Sequence, residues 1–251
     1  MKLISLNTWG CRVTEPIFDF IKKYSEDTDI FCFQEVSKGG KDKTDKGELK
    51  DVYEKISATL PNYTGYFCEY GEEGHYYEKS RNEIDFRFGL ACFVRKNLNQ
   101  SLAKTINLHN PEIKWGDYSG RFAAGSVLII SVENYVITNI HGLWQGSIKT
   151  DTEAKLEQSK KIIELTESIS GKKIICGDFN LLPDTQSIQM FSNKYRDLIQ
   201  EYKIDSTRSA LYTKSLRYSD YVFTDKDIIV KSFSVPDMEI SDHLPLFLDF
   251  E

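Results

Sequence analysis

Six short stretches of this 251-residue sequence place acidic, amide or imidazole side chains beside an apolar run. A single Asp, Asn or Ser there would be an ordinary turn residue, because these residues are favoured at turns for local reasons. Six in succession are hard to explain in that way, since strand ends are where side chains from distant parts of a chain converge on a pocket. The stretches are Asn7 after KLISL, Gln34-Glu35 after DIFCF, Asn139-Ile140-His141 after YVIT, Gly177-Asp178-Phe179-Asn180 after KIIC, Ser219-Asp220 before YVF, and Ser241-Asp242-His243 before LPLF.

The chemistry that suits this set is the hydrolysis of a phosphate ester. A phosphodiester anion repels nucleophiles, so catalysis must neutralise its charge and deliver an oriented water in line with the leaving group. Oxygen ligands such as Glu35 and Asp242 favour Mg²⁺, for which Mn²⁺ can substitute, and the sequence has no Cys/His cluster with zinc spacing. The residues therefore predict a Mg²⁺-dependent hydrolase that uses in-line attack of a water at the metal site.

Strands must position most of these residues. Ten apolar runs, rich in β-branched and aromatic residues and separated by turn residues, predict strands. Strand-rich segments with a few helices between them, and no break in composition, predict a single α/β domain over residues 1–251. The predicted strands are 2–6, 29–33, 63–67, 90–94, 123–132, 135–140, 173–176, 220–223, 228–235 and 246–250.

Two helices are predicted between the strands. Segment 15–25 carries Ile17, Phe18, Ile21 and Tyr24 on one face. Segment 151–169 opens with the capping-box pattern Thr150-x-x-Glu153 and is expected to end near Gly171, where a left-handed cap is easily formed. Its predicted apolar side consists of Leu156, Ile162, Ile163, Leu165 and Ile169.

Three further segments, 36–48, 69–83 and 107–120, are polar or rich in Gly and Pro, and they predict long loops. Long loops in a compact domain are commonly functional. For the first of them, a solvated insertion is an equally good interpretation.

The ordered motifs LNTWG, QE, NIH, GDFN, SDY and SDH resemble those of the endonuclease/exonuclease/phosphatase superfamily, which has the DNase-I-like fold. The resemblance extends from Asn7 to His243, and GDFN together with SDH at this separation is its most specific part. It implies a four-layered α/β sandwich, with two mixed β-sheets packed face to face and helices outside.

The resemblance also implies a metal site and a water site. Glu35 would be the principal metal ligand, with Asn7, Asp178 and Asp242 binding directly or through water. Asp178 would also hold or deprotonate the attacking water, and Asn180 would orient it.

Two histidines would bind the substrate phosphate. His243 would hydrogen-bond it, with its ring fixed by Asp220 in one tautomer and favoured in the charged form. His141 would bind a second phosphate oxygen. The sequence identifies no acidic partner for His141, although Glu83 and Asp85 precede the LACFV strand.

Two arginines are candidate substrate-binding residues. Arg121 stands where the family often has a basic residue, and a structural salt bridge is an equal alternative for it. Arg208 lies before the SDY strand and could contact substrate phosphate, although an arginine on a loop is usually solvated.

The composition says more about the cellular location of the protein than about its substrate. The net charge of −6 is mild evidence against tight duplex binding, since nucleic-acid binders usually carry a basic surface. The five cysteines are odd in number and form no CxxC, which predicts buried thiols in a reducing compartment. No stretch approaches the roughly 20 apolar residues of a membrane span. We therefore expect a cytoplasmic protein without a transmembrane segment or an evident obligate protein partner.

The predicted function is a phosphodiesterase or nuclease that acts on nucleic acid. The histidine in NIH resembles DNases, sphingomyelinases and deadenylases, whereas abasic-site endonucleases carry a Tyr-x-Pro-Asn element there. The alternatives are a phospholipid (sphingomyelinase-like) or small-molecule phosphatase of the same fold and, from another class, a non-catalytic binding module. A non-catalytic module would be expected to lack at least one of Glu35, Asp178, Asn180, Asp242 and His243, and all five are present.

Overall fold

A computed structural model describes residues 1–70, 85–107, 125–146 and 148–251. Six strands form the first sheet, in the order β11-β12-β1-β2-β4-β3. Only β1 and β2 run parallel; the other neighbours are antiparallel. The strands are β1 (Lys2–Asn7), β2 (Ile30–Lys38), β3 (Tyr63–Glu69), β4 (Arg87–Arg95), β11 (Val230–Ser234) and β12 (Leu246–Phe250).

The second sheet also has six strands, in the order β5-β6-β7-β8-β10-β9. Here β7 and β8 run parallel and the remaining pairs are antiparallel, so both sheets are mixed. The strands are β5 (Gln100–Asn107), β6 (Ser126–Val132), β7 (Tyr135–His141), β8 (Lys172–Asp178), β9 (Arg196–Asp197) and β10 (Asp220–Thr224).

The two sheets share a core. Buried side chains such as Leu3 and Cys92 of the first sheet lie in one hydrophobic cluster with Ile137 and Cys176 of the second. The other face of the first sheet packs against helices α1 (Thr14–Tyr24) and α2 (Val52–Thr59) in a second cluster. Phe191 of α4 (Gln186–Lys194) stacks on Phe223 of β10, with ring centroids 5.2 Å apart. The predicted α/β sandwich of two mixed sheets with helices is confirmed.

All ten predicted strands are present, with boundaries that differ by a few residues. Strand β5 was not predicted, because its side chains from Ser101 to Thr105 are exposed and the segment lacks an apolar run. The loop predicted at 36–48 begins later, since β2 continues to Lys38. Helices α2, α4 and the short α5 (Leu198–Glu201) were also missed.

Both predicted ends of helix α3 (Glu153–Glu167) are wrong. Its N-cap is Thr152, whose side chain accepts from the Lys155 amide, rather than Thr150. It ends before Gly171, and its C-cap Ser168 has right-handed helical geometry. Most of the predicted apolar side is confirmed, since Ile162 is buried in the core and Ile163, Leu165 and Ile169 pack against it, but the helix also buries polar residues. The buried face is Ala154, Lys155, Gln158, Ser159, Ile162 and Thr166, which is mostly polar.

Some predictions fall on residues 71–83, 108–120 and Arg121, which lie outside the described residues. The five cysteines are free thiols and all are buried, as predicted. No helix in the described part of the chain is both long enough and apolar enough to cross a bilayer.

Candidate active site

Three neighbouring strands of the second sheet place three predicted residues side by side. His141 ends β7 and pairs in register with Asp178 at the end of β8. Asp178 in turn pairs with Asp220, which begins β10. Residues paired across a sheet project from the same face, so the three side chains converge. All three are buried.

The first sheet contributes Glu35 through a β-bulge in β2. Between Phe33 and Val36 the strand advances by one residue more than its partner β4. The extra residue leaves Glu35 with a φ of 56°, a left-handed conformation that is uncommon for a residue with a side chain. The bulge directs Glu35 out of the regular alternation of β2 and towards Asn7, whose Nδ2 donates to Glu35 Oε1 at 3.1 Å.

Asn139, which the sequence had marked only as part of a motif, supports this bulge from the other sheet. Its Nδ2 donates to the carbonyls of Phe33 at 3.0 Å and Ala91 at 3.2 Å. Its Oδ1 accepts from Gln34 Nε2 at 2.7 Å. A buried carbonyl that loses its strand partner needs another donor, and Asn139 supplies it. The position of Glu35 is therefore fixed by both sheets.

Asp178 is held by three donors. Its Oδ1 accepts from the Asn180 amide at 2.9 Å and from Ser219 Oγ, and its Oδ2 accepts from Asn7 Nδ2 at 3.1 Å. Burial alone would raise the pKa of this carboxyl, but the surrounding cationic and imidazole groups, including Arg208, outweigh burial and hold the pKa well below its ordinary value. Both carboxylate oxygens of Asp178 are therefore held in fixed directions by neighbouring donors.

Asn180 is fixed at the turn that follows β8. It adopts a φ of 53°, which asparagine tolerates better than most residues. Its Nδ2 donates to the Gly142 carbonyl at 3.1 Å, and its own carbonyl accepts from Lys155 Nζ at 3.0 Å. The polar buried face of α3 thus helps to hold Asn180 in place, since Lys155 lies on that face.

Glu35 and Asp242 have carboxylate oxygens that their protein neighbours do not fully satisfy. Burial, followed by the negative charge of Asp242, raises the pKa of Glu35 to about 8. Asp242 Oδ1 is buried and has no hydrogen-bond partner among the described residues. A cation would satisfy both, because it neutralises the repulsion and coordinates the unpaired oxygen. The residues present therefore fit a hard divalent metal.

A second group of possible ligands, Asp178, Asp220 and His243, has its ligand atoms within 4.8 Å of one another. Its members already bind each other, since both oxygens of Asp220 lie within 2.9 Å of His243 Nδ1. Glu35 and Asp242, with Asn7 and Asp178 beside them, therefore stay the predicted metal ligands.

His243 is fixed by Asp220, as predicted, and also by Arg208. Arg208 Nη1 donates to Asp242 Oδ2 at 2.9 Å and to His243 Nε2. A guanidinium has no acceptor, so Nε2 carries no hydrogen and Nδ1–H donates to Asp220. Burial, then the charge of Arg208, lowers the pKa of His243 to about 3. These contacts favour a single tautomer of His243, and its burial beside Arg208 disfavours the charged form.

Arg208 is buried in the site and is not a solvated loop residue. It forms an isolated β-bridge with His243, which brings its backbone against the loop before β12. Its guanidinium also stacks over the Tyr212 ring, 4.3 Å from the centroid. Arg121, the other predicted substrate-binding arginine, lies outside the described residues.

His141 is paired with a tyrosine. Its Nδ1 lies 2.6 Å from Tyr70 Oη, and the same hydroxyl accepts from the Glu35 amide at 3.0 Å. Nε2 faces the carboxylates, 3.7 Å from Asp178 Oδ2 and 4.0 Å from Glu35 Oε1. Asp85 is an exposed residue in an ion pair with Lys50 at 3.0 Å, and Glu83 lies outside the described residues. No motif pointed to Tyr70, which follows the last residue of β3.

A cavity of about 330 Å³ opens onto these groups. Glu35, Asp178, Asp242 and both histidines line it, together with three aromatic residues. These are Trp9, Trp144 and Tyr212. Five cationic side chains also line the cavity, namely Arg12, Lys46, Lys149, Arg208 and Lys214, together with the acidic Glu48.

Comparison with known proteins agrees with this geometry. The model of the Endonuclease/Exonuclease/phosphatase family matches residues 4–243. No curated protein sequence is significantly similar to the chain.

Several solved structures have the same fold at low sequence identity. The human Nocturnin catalytic domain with bound sulfate superposes with a TM-score of 0.63 at 18% identity, covering 100% of this chain and 93% of that one. The mannosyl-6-phosphatase of Bacteroides thetaiotaomicron gives 0.62 at 17% identity, covering 100% and 99%. ANGEL2, a 2′,3′-cyclic phosphatase in complex with adenosine-2′,3′-vanadate, gives 0.67 at 15% identity, covering 99% and 94%.

Proposed function

We propose that this chain, which belongs to the endonuclease/exonuclease/phosphatase family, is a cytoplasmic, Mg²⁺-dependent phosphodiesterase that acts on nucleic acid. The observation that carries the proposal is the pair Glu35 and Asp242. The pKa of Glu35 is raised to about 8, and Asp242 Oδ1 is buried without a hydrogen-bond partner among the described residues, so both side chains have an oxygen that a cation would bind.

Glu35 and Asp242 would hold the cation, and Asn7 and Asp178 would lie beside it. An all-oxygen set favours Mg²⁺ or Mn²⁺ over zinc. When bound, the ion would neutralise charge on the phosphate and offset the repulsion between the carboxylates. The five buried free thiols support the reducing compartment that we propose.

The remaining residues would orient the reactants. Asp178 and Asn180 would hold the attacking water in line with the leaving group, since both are fixed by hydrogen bonds at the cavity wall. His141 would bind one phosphate oxygen through Nε2. Arg208 would bind another, because it is a permanent cation that already reaches Asp242 and His243.

Nucleic acid is the favoured substrate because the cavity lining combines cations with aromatic rings. Base rings stack on side chains such as Trp9 and Trp144, and phosphates pair with side chains such as Lys46 and Lys214. This local lining coexists with a net charge of −6, so we expect modest and salt-sensitive binding.

A small phosphate ester is the second candidate. The cavity volume of about 330 Å³ supports it, since this is at the lower end for small-molecule sites and would accommodate a nucleotide or a sugar phosphate.

A substrate panel tests the proposal. Duplex DNA, single-stranded DNA, RNA, sphingomyelin vesicles, phosphoinositides and small phosphate esters would be incubated with the protein in Mg²⁺, in Mn²⁺ and in EDTA. We expect nucleic-acid cleavage that stops in EDTA and returns with either metal. Hydrolysis of small esters alone would select the second candidate. Full activity after exhaustive chelation, or cleavage of sphingomyelin alone, would overturn the proposal.

Glu35→Gln tests the metal site directly. Loss of the anionic ligand should lower metal affinity, so that excess Mg²⁺ partly restores the rate, measured as kcat against Mg²⁺ concentration. Glu164→Gln, on the exposed side of α3, is the matched control and should leave the Mg²⁺ dependence unchanged. An unchanged Mg²⁺ requirement in Glu35→Gln would remove Glu35 from the ligand set.

A further inference from the structure

We infer that Tyr70 is a positioning residue that holds His141 in the Nε2–H tautomer, so that the imidazole donates to a substrate phosphate oxygen. The contact with phosphate rests on the proposed function. The tautomer depends only on the neighbours of His141.

The tautomer follows from counting hydrogens at one hydroxyl. Tyr70 Oη accepts from the Glu35 amide at 3.0 Å, because a backbone N–H can only donate. The phenol has one hydrogen, and among the described residues its acceptor is His141 Nδ1, at 2.6 Å. An Nδ1 that accepts has no hydrogen of its own. In the neutral imidazole the proton is therefore on Nε2, which points into the cavity.

Tyr70 is itself well anchored. Its backbone amide donates to the Phe88 carbonyl at 2.8 Å, and its ring packs against Phe88 with centroids 5.9 Å apart. The ring also contacts His141 edge-on, at 5.2 Å between centroids. Tyr70 is buried, so water does not compete freely for its hydroxyl. This packing fixes the direction of the hydroxyl that both Glu35 and His141 use.

A carboxylate at the position of Tyr70 would have the opposite effect. Because a carboxylate only accepts, it requires a hydrogen on Nδ1 and leaves Nε2 without one. A phenol can donate, which leaves the hydrogen on Nε2 without placing a negative charge behind the ring. Tyr70 therefore makes His141 a neutral donor in a site already crowded with carboxylates.

The tautomer can be measured without any substrate. ¹⁵N–¹H spectra of the histidine rings in the full chain distinguish a protonated from an unprotonated ring nitrogen, and His141→Gln assigns the His141 signals. We expect Nε2 protonated and Nδ1 unprotonated in the wild type, and a mixture of tautomers in Tyr70→Phe. A wild-type His141 with its hydrogen on Nδ1, or an unchanged tautomer in Tyr70→Phe, would overturn the inference.

Turnover provides the second readout. Tyr70→Phe should lower kcat about 10- to 100-fold with little change in KM, as is typical when a residue that orients a functional group is lost. Tyr63→Phe is the matched control, because Tyr63 is also buried and its hydroxyl donates to the Ser25 and Thr28 carbonyls away from the site. It should retain wild-type kcat.

A double-mutant cycle tests whether Tyr70 acts through His141. In a His141→Gln background, Tyr70→Phe should cause no further loss of kcat. A further loss as large as that of the single variant would show that Tyr70 acts elsewhere, for instance through Glu35, and would overturn the positioning role. If the substrate panel finds no hydrolysis but the spectra show the Nε2–H tautomer, the proposed function fails and the assignment of the tautomer stands.

Discussion

Two histidines lie in one buried site, and their partners give them opposite tautomers. His243 donates Nδ1–H to Asp220, while its Nε2 accepts from Arg208. His141 accepts at Nδ1 from Tyr70, and the inferred hydrogen on Nε2 faces the cavity. The residue type is the same in both places, so the difference comes entirely from what each ring contacts.

Under the proposed function, His141 and His243 would therefore have different roles at the phosphate. His141 has a hydrogen to donate, whereas His243, with a pKa lowered to about 3, is neutral above that pH and presents only a lone pair at Nε2. On the His243 side the donor is Arg208, a permanent cation. The resemblance implies the same task for both histidines, whereas we propose that His141 and Arg208 share it.

The largest expected effect comes from removing the partner of His243. Asp220→Asn leaves the proposed metal ligands intact but weakens the acceptor that orients the ring, so kcat should fall about 10²- to 10⁴-fold with little rescue by excess Mg²⁺. The measurement is kcat across a Mg²⁺ titration. Asp197→Asn is the control, since Asp197 also accepts hydrogen bonds but caps α5 away from the site. Near wild-type turnover in a folded Asp220→Asn would refute the pairing.

A smaller loss is expected when Arg208 is altered. Arg208→Lys keeps the charge but loses the planar guanidinium that reaches both Asp242 and His243, so kcat/KM should fall about 10- to 100-fold. Steady-state kinetics in constant Mg²⁺ measure it. Arg196→Lys, whose guanidinium pairs with Glu201 at the surface, should leave kcat/KM unchanged. Equal activity in both variants would show that the donor on this side is not Arg208.

The smallest effect should come from Ser219→Ala, which alters the support of Asp178 and touches neither histidine. Asp178 keeps its bonds from Asn180 and Asn7, so the loss should be about 1 kcal/mol, or roughly fivefold in kcat. Single-turnover rates measure it against Ser192→Ala, which loses a comparable bond to Asp197. A loss as large as that of Asp220→Asn would mean that the two histidines are not the main determinants of rate.

Much of this site could be predicted because its residues lie in short motifs at the ends of apolar strands. Asp178 and Asn180 are two positions apart at the end of β8, and His141 ends the strand beside it. Strand alternation depends on local sequence, so such positions can be read directly. The same reasoning missed β5, an exposed edge strand without an apolar run.

The partners of the site residues could not be predicted, because they depend on tertiary contacts. Tyr70 is separated by 71 positions from His141 and belongs to no motif. The polar part of the buried face of α3 was missed for a related reason. Periodicity assumes that a buried helix face is apolar, whereas this face carries Lys155 and Gln158. Lys155 donates to the Asn180 carbonyl, and Gln158 accepts from the Leu143 amide.

The bulge in β2 also has a consequence for how this strand can change in evolution. Phe33 and Val36 pack in the same hydrophobic cluster although three positions separate them, and an unbroken strand would put them on opposite faces. The bulge absorbs the extra residue, so that Val36 returns to the same face as Phe33 while Glu35 turns towards the site. A regular strand of the same length would turn Val36 away from the cluster, whereas deleting the bulged residue would leave Phe33 and Val36 on one face and remove only the carboxylate of Glu35. The extra residue of β2 is therefore retained for the position of Glu35 and is not required by the packing of Val36.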